Sequence, residues 1–140
     1  MSKIAVVYFS STGNTEAMAE SVVNGAKAAG ADVSLFTSDE FDTGTIGDYD
    51  AVAFGCPAMG AEQLEEGSFE PMFTAVEGSL NGKKVGLFGS YGWGDGEWMR
   101  TWADRTRSDG ANLVNDGVIC NSTPDADGLA ECEALGKALA

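Results

Sequence analysis

Five short apolar runs recur along the chain, and between them the apolar spacing changes from strand-like to helical. Ile4 to Phe9 and Ala51 to Cys56 are unbroken by charge, as suits central strands buried on both faces. Val85 to Gly89 and Leu113 to Cys120 read as two more strands. Asp32 to Phe36 alternates and is brief, which fits a strand with partly exposed ends. Between the first two runs, Thr15 to Ala29 puts Met18, Val22 and Ala26 on one helical face, with Ala19 and Val23 beside them. Gly30 suits the stop. A second helix opens at Glu70 or Pro71 and buries Phe69, Phe73, Val76 and Leu80, Pro being suited to a first helical position. A third spans Glu97 to Ser108, with Asp95 as candidate cap. A fourth opens at Thr123-Pro124 and turns Leu129, Cys132, Leu135 and Leu139 inward. Thr37 to Gly47 reads as a loop with room for a short helical turn.

Strands alternating with helices make a parallel sheet covered on both faces. Five strands fit the α/β doubly wound order 2-1-3-4-5 in a single domain over residues 1–140. A chain of 140 residues, 44% hydrophobic, has the apolar content for such a core and excludes general disorder. No apolar run approaches the ~20 residues of a membrane span, and Met1-Ser2-Lys3 leads straight into a strand, so the expected location is cytoplasmic. A net charge of −14 argues against nucleic acid or an anionic membrane as partner. The three cysteines are scattered, without a Cys-x-x-Cys pair, and the chain has no His, so no metal site is expected. Cys56, Cys120 and Cys132 read as inert small hydrophobes.

In a sheet of this order ligands bind beyond the carboxyl ends of the strands, where strands one and three part. The loop there is Ser10-Ser11-Thr12-Gly13-Asn14-Thr15, hydroxyl-rich and just ahead of a helix. It admits two readings: an ordinary capped turn, or an anion cradle built from helix N–H groups and hydroxyls. No Lys or Arg lies near it in sequence, so an anion here would be held by dipoles. The loops after strands three and four, with Met59-Gly60 and with Trp93 among glycines, converge on the same place. A ligand with a phosphate at one end and a flat apolar body at the other fits all three.

These three loops carry a resemblance. Ser10-Ser11-Thr12-Gly13-Asn14-Thr15, Cys56-Pro57-Ala58-Met59-Gly60-Ala61-Glu62 and Gly89-Ser90-Tyr91-Gly92-Trp93-Gly94-Asp95-Gly96, in that order, resemble the short-chain flavodoxins over essentially the whole chain. The 2-1-3-4-5 order and its switch-point site are commonly illustrated with this family, so they are not an independent indication of it. The resemblance implies non-covalent FMN and one-electron transfer at low potential, between the semiquinone and hydroquinone. It implies that Ser10 to Thr15 cradle the phosphate. Ala58, Met59, Gly60 and Ala61 would form the loop beside the flavin N5, with Glu62 accepting from N3–H. Trp93 would stack on one flavin face and Met59 on the other. Ser90, Tyr91, Gly92 and Gly94 would complete the site, with amides around Gly92 facing N1 and O2. Pro57 stands where some relatives have Ser, and Ala61 where some have a carboxylate. Both departures bear on the potential.

Other chemistries on related folds fit less well. None of the three cysteines is followed by Arg at phosphatase spacing, and Gly82-Lys83 lacks the rest of a nucleotide loop. A quinone or nitro reductase would need a substrate pocket over the flavin, and no insertion builds one. The partners implied are basic redox proteins, a reductase or a low-potential oxidoreductase, met by a monomer. From Ala28 to Gly82 there is no Lys or Arg, while acids recur from Asp32 to Glu77. That stretch is either a docking face for such a partner or a solvated surface.

Overall fold

The computed structural model describes residues 2–10, 13–59, 64–92 and 96–140. Strand β1 (Lys3–Tyr8) leads into helix α1 (Asn14–Ala28), then β2 (Asp32–Thr37) and β3 (Ala51–Gly55). Helix α2 (Phe69–Val76), β4 (Lys84–Tyr91) and α3 (Glu97–Ser108) follow. The chain closes with β5 (Asn112–Leu113), β6 (Val118–Asn121) and α4 (Ala126–Leu139). The sheet runs β2-β1-β3-β4-β5, with β6 also on β4, and every pairing is parallel. The expected strand order is therefore the observed one.

Strand periodicity sorts the core into two layers. Ala5, Val7, Val52, Phe54, Val85 and Leu87 face one way, onto Phe69, Phe73, Trp98 and Trp102 of α2 and α3. Ile4, Val6, Ala51, Ala53 and Phe88 face the other, onto Met18, Val22, Cys132 and Leu135 of α1 and α4. A run that is apolar at every position is what a sheet buried on both sides needs. Each Val, Ile, Leu or Phe among them contributes about 1.5–3 kcal/mol when fully buried. The stripes expected for α1 and α2 are buried as expected, and Leu80 is buried just past the short 3-10 turn Glu77–Ser79. Leu129 is only half-buried.

Several boundaries differ from expectation. The fifth strand is broken in two. Val85 pairs with Leu113, yet Phe88, three residues on, pairs with Val118, five residues on. The surplus residues bulge out, and Gly117 takes the turn at φ 104°. Strand β4 runs on through Ser90 and Tyr91, because β6 pairs with both. Helix α4 begins at Ala126, where the Asp125 carboxylate accepts from the Gly128 N–H, rather than at Pro124.

Helix α2 begins at Phe69, which puts Pro71 third, where its missing N–H is still no loss. Its true cap is Glu65. One oxygen of that carboxylate accepts from the N–H groups of Ser68 (2.8 Å) and Phe69 (2.9 Å), the other from Gly67 (2.5 Å). Burial would raise the Glu65 carboxyl, but these bonds hold it below its usual range. Its contribution to stability is thus present above the unfolded carboxyl range and lost as pH falls through the lowered value.

Helices α2 and α3 are locked by Arg105, which lies 4.9 Å from the Phe73 ring centroid. Its guanidinium grips Glu70 with two bonds of 2.9 Å and Glu77 with two of 2.7 Å. Asp109 adds a third carboxyl. Burial first, then the bond to Glu77 and its charge, push Asp109 up to about 6. The protonated Asp109 is therefore favoured in the fold, and that contribution is lost as pH rises through this value. Asp109→Asn removes the charge at every pH. The variant should be more stable than wild type at pH 8 and about equal at pH 5, read as melting temperature against pH.

Candidate functional site

The cradle stands where β1 hands over to α1. Gly13 is the residue before the helix, at φ 91°, a left-handed conformation that favours glycine, and a Cβ there would meet nothing within 4 Å. The Ser10 hydroxyl accepts from the Gly13 N–H at 3.0 Å, folding the loop back on itself while keeping its own proton to donate. Among the described residues no side chain caps the first turn of α1. Its N–H groups at Asn14, Thr15 and Glu16 have no partner within the helix. Thr15 is 1% exposed, and its hydroxyl meets that of Ser90 at 3.2 Å. This contact joins the cradle to the end of β4 and leaves each hydroxyl further hydrogen-bonding capacity.

The neighbouring loops are aligned by an extension of the sheet. Phe9 donates to the Gly55 carbonyl (2.9 Å), Cys56 to Phe88 (3.1 Å) and Ala58 to Ser90 (3.0 Å). Met59 is half-buried. The Cys56 thiol accepts from the Glu65 N–H at 3.4 Å and so closes the loop between them. Burial, with the charges of Glu65 and Glu70, pushes that thiol up to about 12 against the opposing Glu65 N–H bond, so it is inert. The Tyr91 ring packs on Trp98 with centroids 5.5 Å apart.

Asn14, Pro57, Ala58, Met59, Ser90, Tyr91, Gly92 and Ser122 enclose a cavity of about 240 Å³. The three loops singled out in the sequence thus meet at the carboxyl end of the sheet. A second hollow, about 360 Å³, lies on the β2 side of the cradle between Tyr8, Ser10, Gly13, Glu16 and Ser38. No Lys or Arg lines either among the described residues. The local field is negative. Burial first, then the hydrogen bond to Glu16 and the charges of Glu16, Glu40 and Glu20, raise the Tyr8 phenol.

Ser122 was not foreseen. It is the one described residue other than glycine at positive φ (57°), held by its N–H to the Tyr91 carbonyl at 2.7 Å. The loop after the fifth strand carries no motif to flag it. Ser11, Thr12, Gly60, Ala61, Glu62, Trp93 and Gly94, with the candidate cap Asp95, lie outside the described residues.

The donor set fits an anion at the cradle, and the apolar surface of Ala58, Met59 and Tyr91 fits a flat body beside it. Comparison with known proteins agrees. Residues 6–136 match the family model described as Flavodoxin. The chain is 47% identical over 137 residues to the flavodoxin of Megasphaera elsdenii, covering 98% of each, and 41% identical over 135 to that of Clostridium beijerinckii, covering 96% and 97%. The solution structure of the two-electron reduced Megasphaera elsdenii flavodoxin superposes with a TM-score of 0.90 over 97% of both chains. The chain belongs to the flavodoxin family, the FMN-binding, low-potential electron carriers of this fold.

Proposed function

We infer that this chain, as a single domain, carries electrons one at a time on an FMN seated in the cavity between α1, the β3 loop and the β4 loop. The observation that carries this reading is the first turn of α1, which no side chain caps among the described residues, beside a cavity with no cation in its described lining. FMN, when bound, supplies the redox chemistry, and the protein sets its energy. Ser10, Ser11, Thr12, Gly13, Asn14 and Thr15 hold the phosphate with N–H groups and hydroxyls. Ala58, Gly60, Ala61 and Glu62 contact the flavin edge, and Met59 lies against the ring face opposite Trp93. Ser90, Tyr91, Gly92, Trp93 and Gly94 complete the binding site, with Trp93 supplying the ring wall.

The negative field sets the direction of the potential. Each carboxylate ~10 Å from the ring opposes added negative charge by about 0.4–1.7 kcal/mol before salt screening. For one electron ~59 mV corresponds to about 1.4 kcal/mol, so several acids lower the second step by tens of millivolts or more. The partner is a basic redox protein met in the cytoplasm by a monomer. Not every acid in the cation-free stretch serves that purpose: Glu70 and Glu77 hold Arg105, and Glu65 caps α2.

The test of the carrier reading is direct. The purified protein should be yellow, carry one phosphate per flavin and reduce in two one-electron steps at low potential. A colourless protein that takes up no added FMN, or steady NAD(P)H turnover with a quinone, would overturn it. For docking, electron transfer to a basic acceptor should slow as salt rises, and Asp39→Asn with Glu66→Gln should flatten the slope. Parallel slopes would place docking on another face.

A further inference from the structure

We propose that Trp98 is a positioning residue that fixes the start of the segment leaving β3, assigned to the flavin ring, against the first turn of α3. The proposal rests on that assignment. Trp98 is the second residue of α3 and 2% exposed. Its indole N–H donates to the Cys56 carbonyl at 3.1 Å, in a buried contact between residues 42 apart in sequence. Cys56 is where β3 ends and the Met59 loop begins. Its N–H is still in the sheet, donating to Phe88, while its carbonyl is held by Trp98.

Gly89 makes this possible. A Cβ there would stand 2.1 Å from the Cys56 oxygen and 3.1 Å from the Trp98 ring. The carbonyl therefore crosses above a residue with no side chain to reach the indole. Cys56 just past β3, Gly89 of β4 and Trp98 of α3 form one strut. The Tyr91 ring leans on the same indole, so the end of β4 is referenced to it as well. A core tryptophan could bury its ring with its N–H anywhere that satisfies it. Here the N–H is spent on the last residue before one ring-binding segment, by the first turn after the other.

The test separates shape from hydrogen bond. Replacing Trp98 by benzothienylalanine keeps the bicyclic ring and loses only the N–H. Gly89→Ala keeps the indole and displaces the carbonyl. In both, oxidised FMN should bind about tenfold more weakly, the scale expected when a buried carbonyl loses its partner. The gap between the two one-electron potentials should narrow. In the ligand-free variants the Ala58 and Glu65 N–H groups should exchange with solvent faster, while those of β1 and β2 do not. A merely structural tryptophan would lower the melting temperature and leave affinity, gap and local exchange as in wild type. That result overturns the proposal. If wild type takes up no FMN, the carrier reading fails separately, and unchanged Ala58 and Glu65 exchange still decides against the strut.

Discussion

Gly136→Ala should lower the melting temperature of the protein by about 10 °C. Gly136 and Gly25 are both buried where α4 and α1 pack together. A Cβ at Gly136 would stand 2.1 Å from the Val22 carbonyl oxygen and 2.7 Å from the Ala26 nitrogen. One at Gly25 would stand 2.0 Å from the Glu133 oxygen. These neighbours are backbone, so no rotamer change relieves the clash and the helices must separate. Ala is the better helix former by about 1 kcal/mol. Separation forfeits packing along the whole contact, which exceeds that gain, for a net loss of ~2–3 kcal/mol. In a domain of this size each kcal/mol shifts the midpoint by about 4 °C. The double variant with Gly25→Ala should lose less than the sum, since the second methyl enters an interface already opened. Thermal unfolding of the three proteins checks both statements, and a single variant within two degrees of wild type refutes the first.

Riboflavin should bind at least ~100-fold more weakly than FMN, because it brings nothing to the cradle. Several charge-assisted bonds of about 1.5–3 kcal/mol each are lost with the phosphate, offset by the lower cost of desolvating a neutral ligand. Thr15→Val should narrow that ratio, removing one hydroxyl and leaving Ser90 without its partner. Salt provides a sharper check, with a sign that distinguishes this site from an ordinary phosphate pocket. A phosphate site rich in Lys or Arg weakens as salt rises. Here no cation lines the described cradle and the whole chain carries −14, so the incoming dianion is repelled at long range. FMN should therefore bind faster and tighter as ionic strength increases, while riboflavin barely responds. Titration of both ligands at several salt concentrations decides the matter. Equal affinity for the two would remove the phosphate from the loop.

The layers of the fold were legible because they rest on periodicity. Met18, Val22 and Ala26 repeat at helical spacing and Ala51 to Cys56 at none, and both patterns report directly what a face is buried against. The meeting of the three loops was legible because strand order brings the ends of β1, β3 and β4 together whatever the side chains do. What escaped depends on contacts between residues far apart in sequence. Gly25 and Gly136 look like weak points in their helices until each is seen against the backbone of the other. Glu65 reads as one acid in a charged run, since a carboxylate four residues before Phe69 falls outside the usual capping window. The break between Leu113 and Val118 is marked in the sequence by Asn115-Asp116-Gly117, a turn-forming run that the apolar residues on either side outweigh when the segment is read as one strand. Ser122 needs the Tyr91 carbonyl to explain its backbone, and nothing nearby in sequence points to it.

The common direction of the helices has a consequence at the scale of the whole molecule. Three of the four helices are tuned to their own dipoles: Glu16, Glu97 and Asp127 occupy first turns, while Lys27, Arg107 and Lys137 occupy last turns; α2 has no cation in its last turn, and its Glu70 is paired with Arg105. In a scattered bundle such preferences would cancel. Right-handed crossovers between parallel strands point every helix the same way, so here they add. Lys3 and Lys84 at strand starts, with Lys83 just before β4, join the cationic end, and only Arg100 of the Lys and Arg residues lies at the other. A habit that stabilises single helices thus becomes a compass needle built into the chain. Torque from an approaching basic surface would turn the cradle end toward it before any side chain touches.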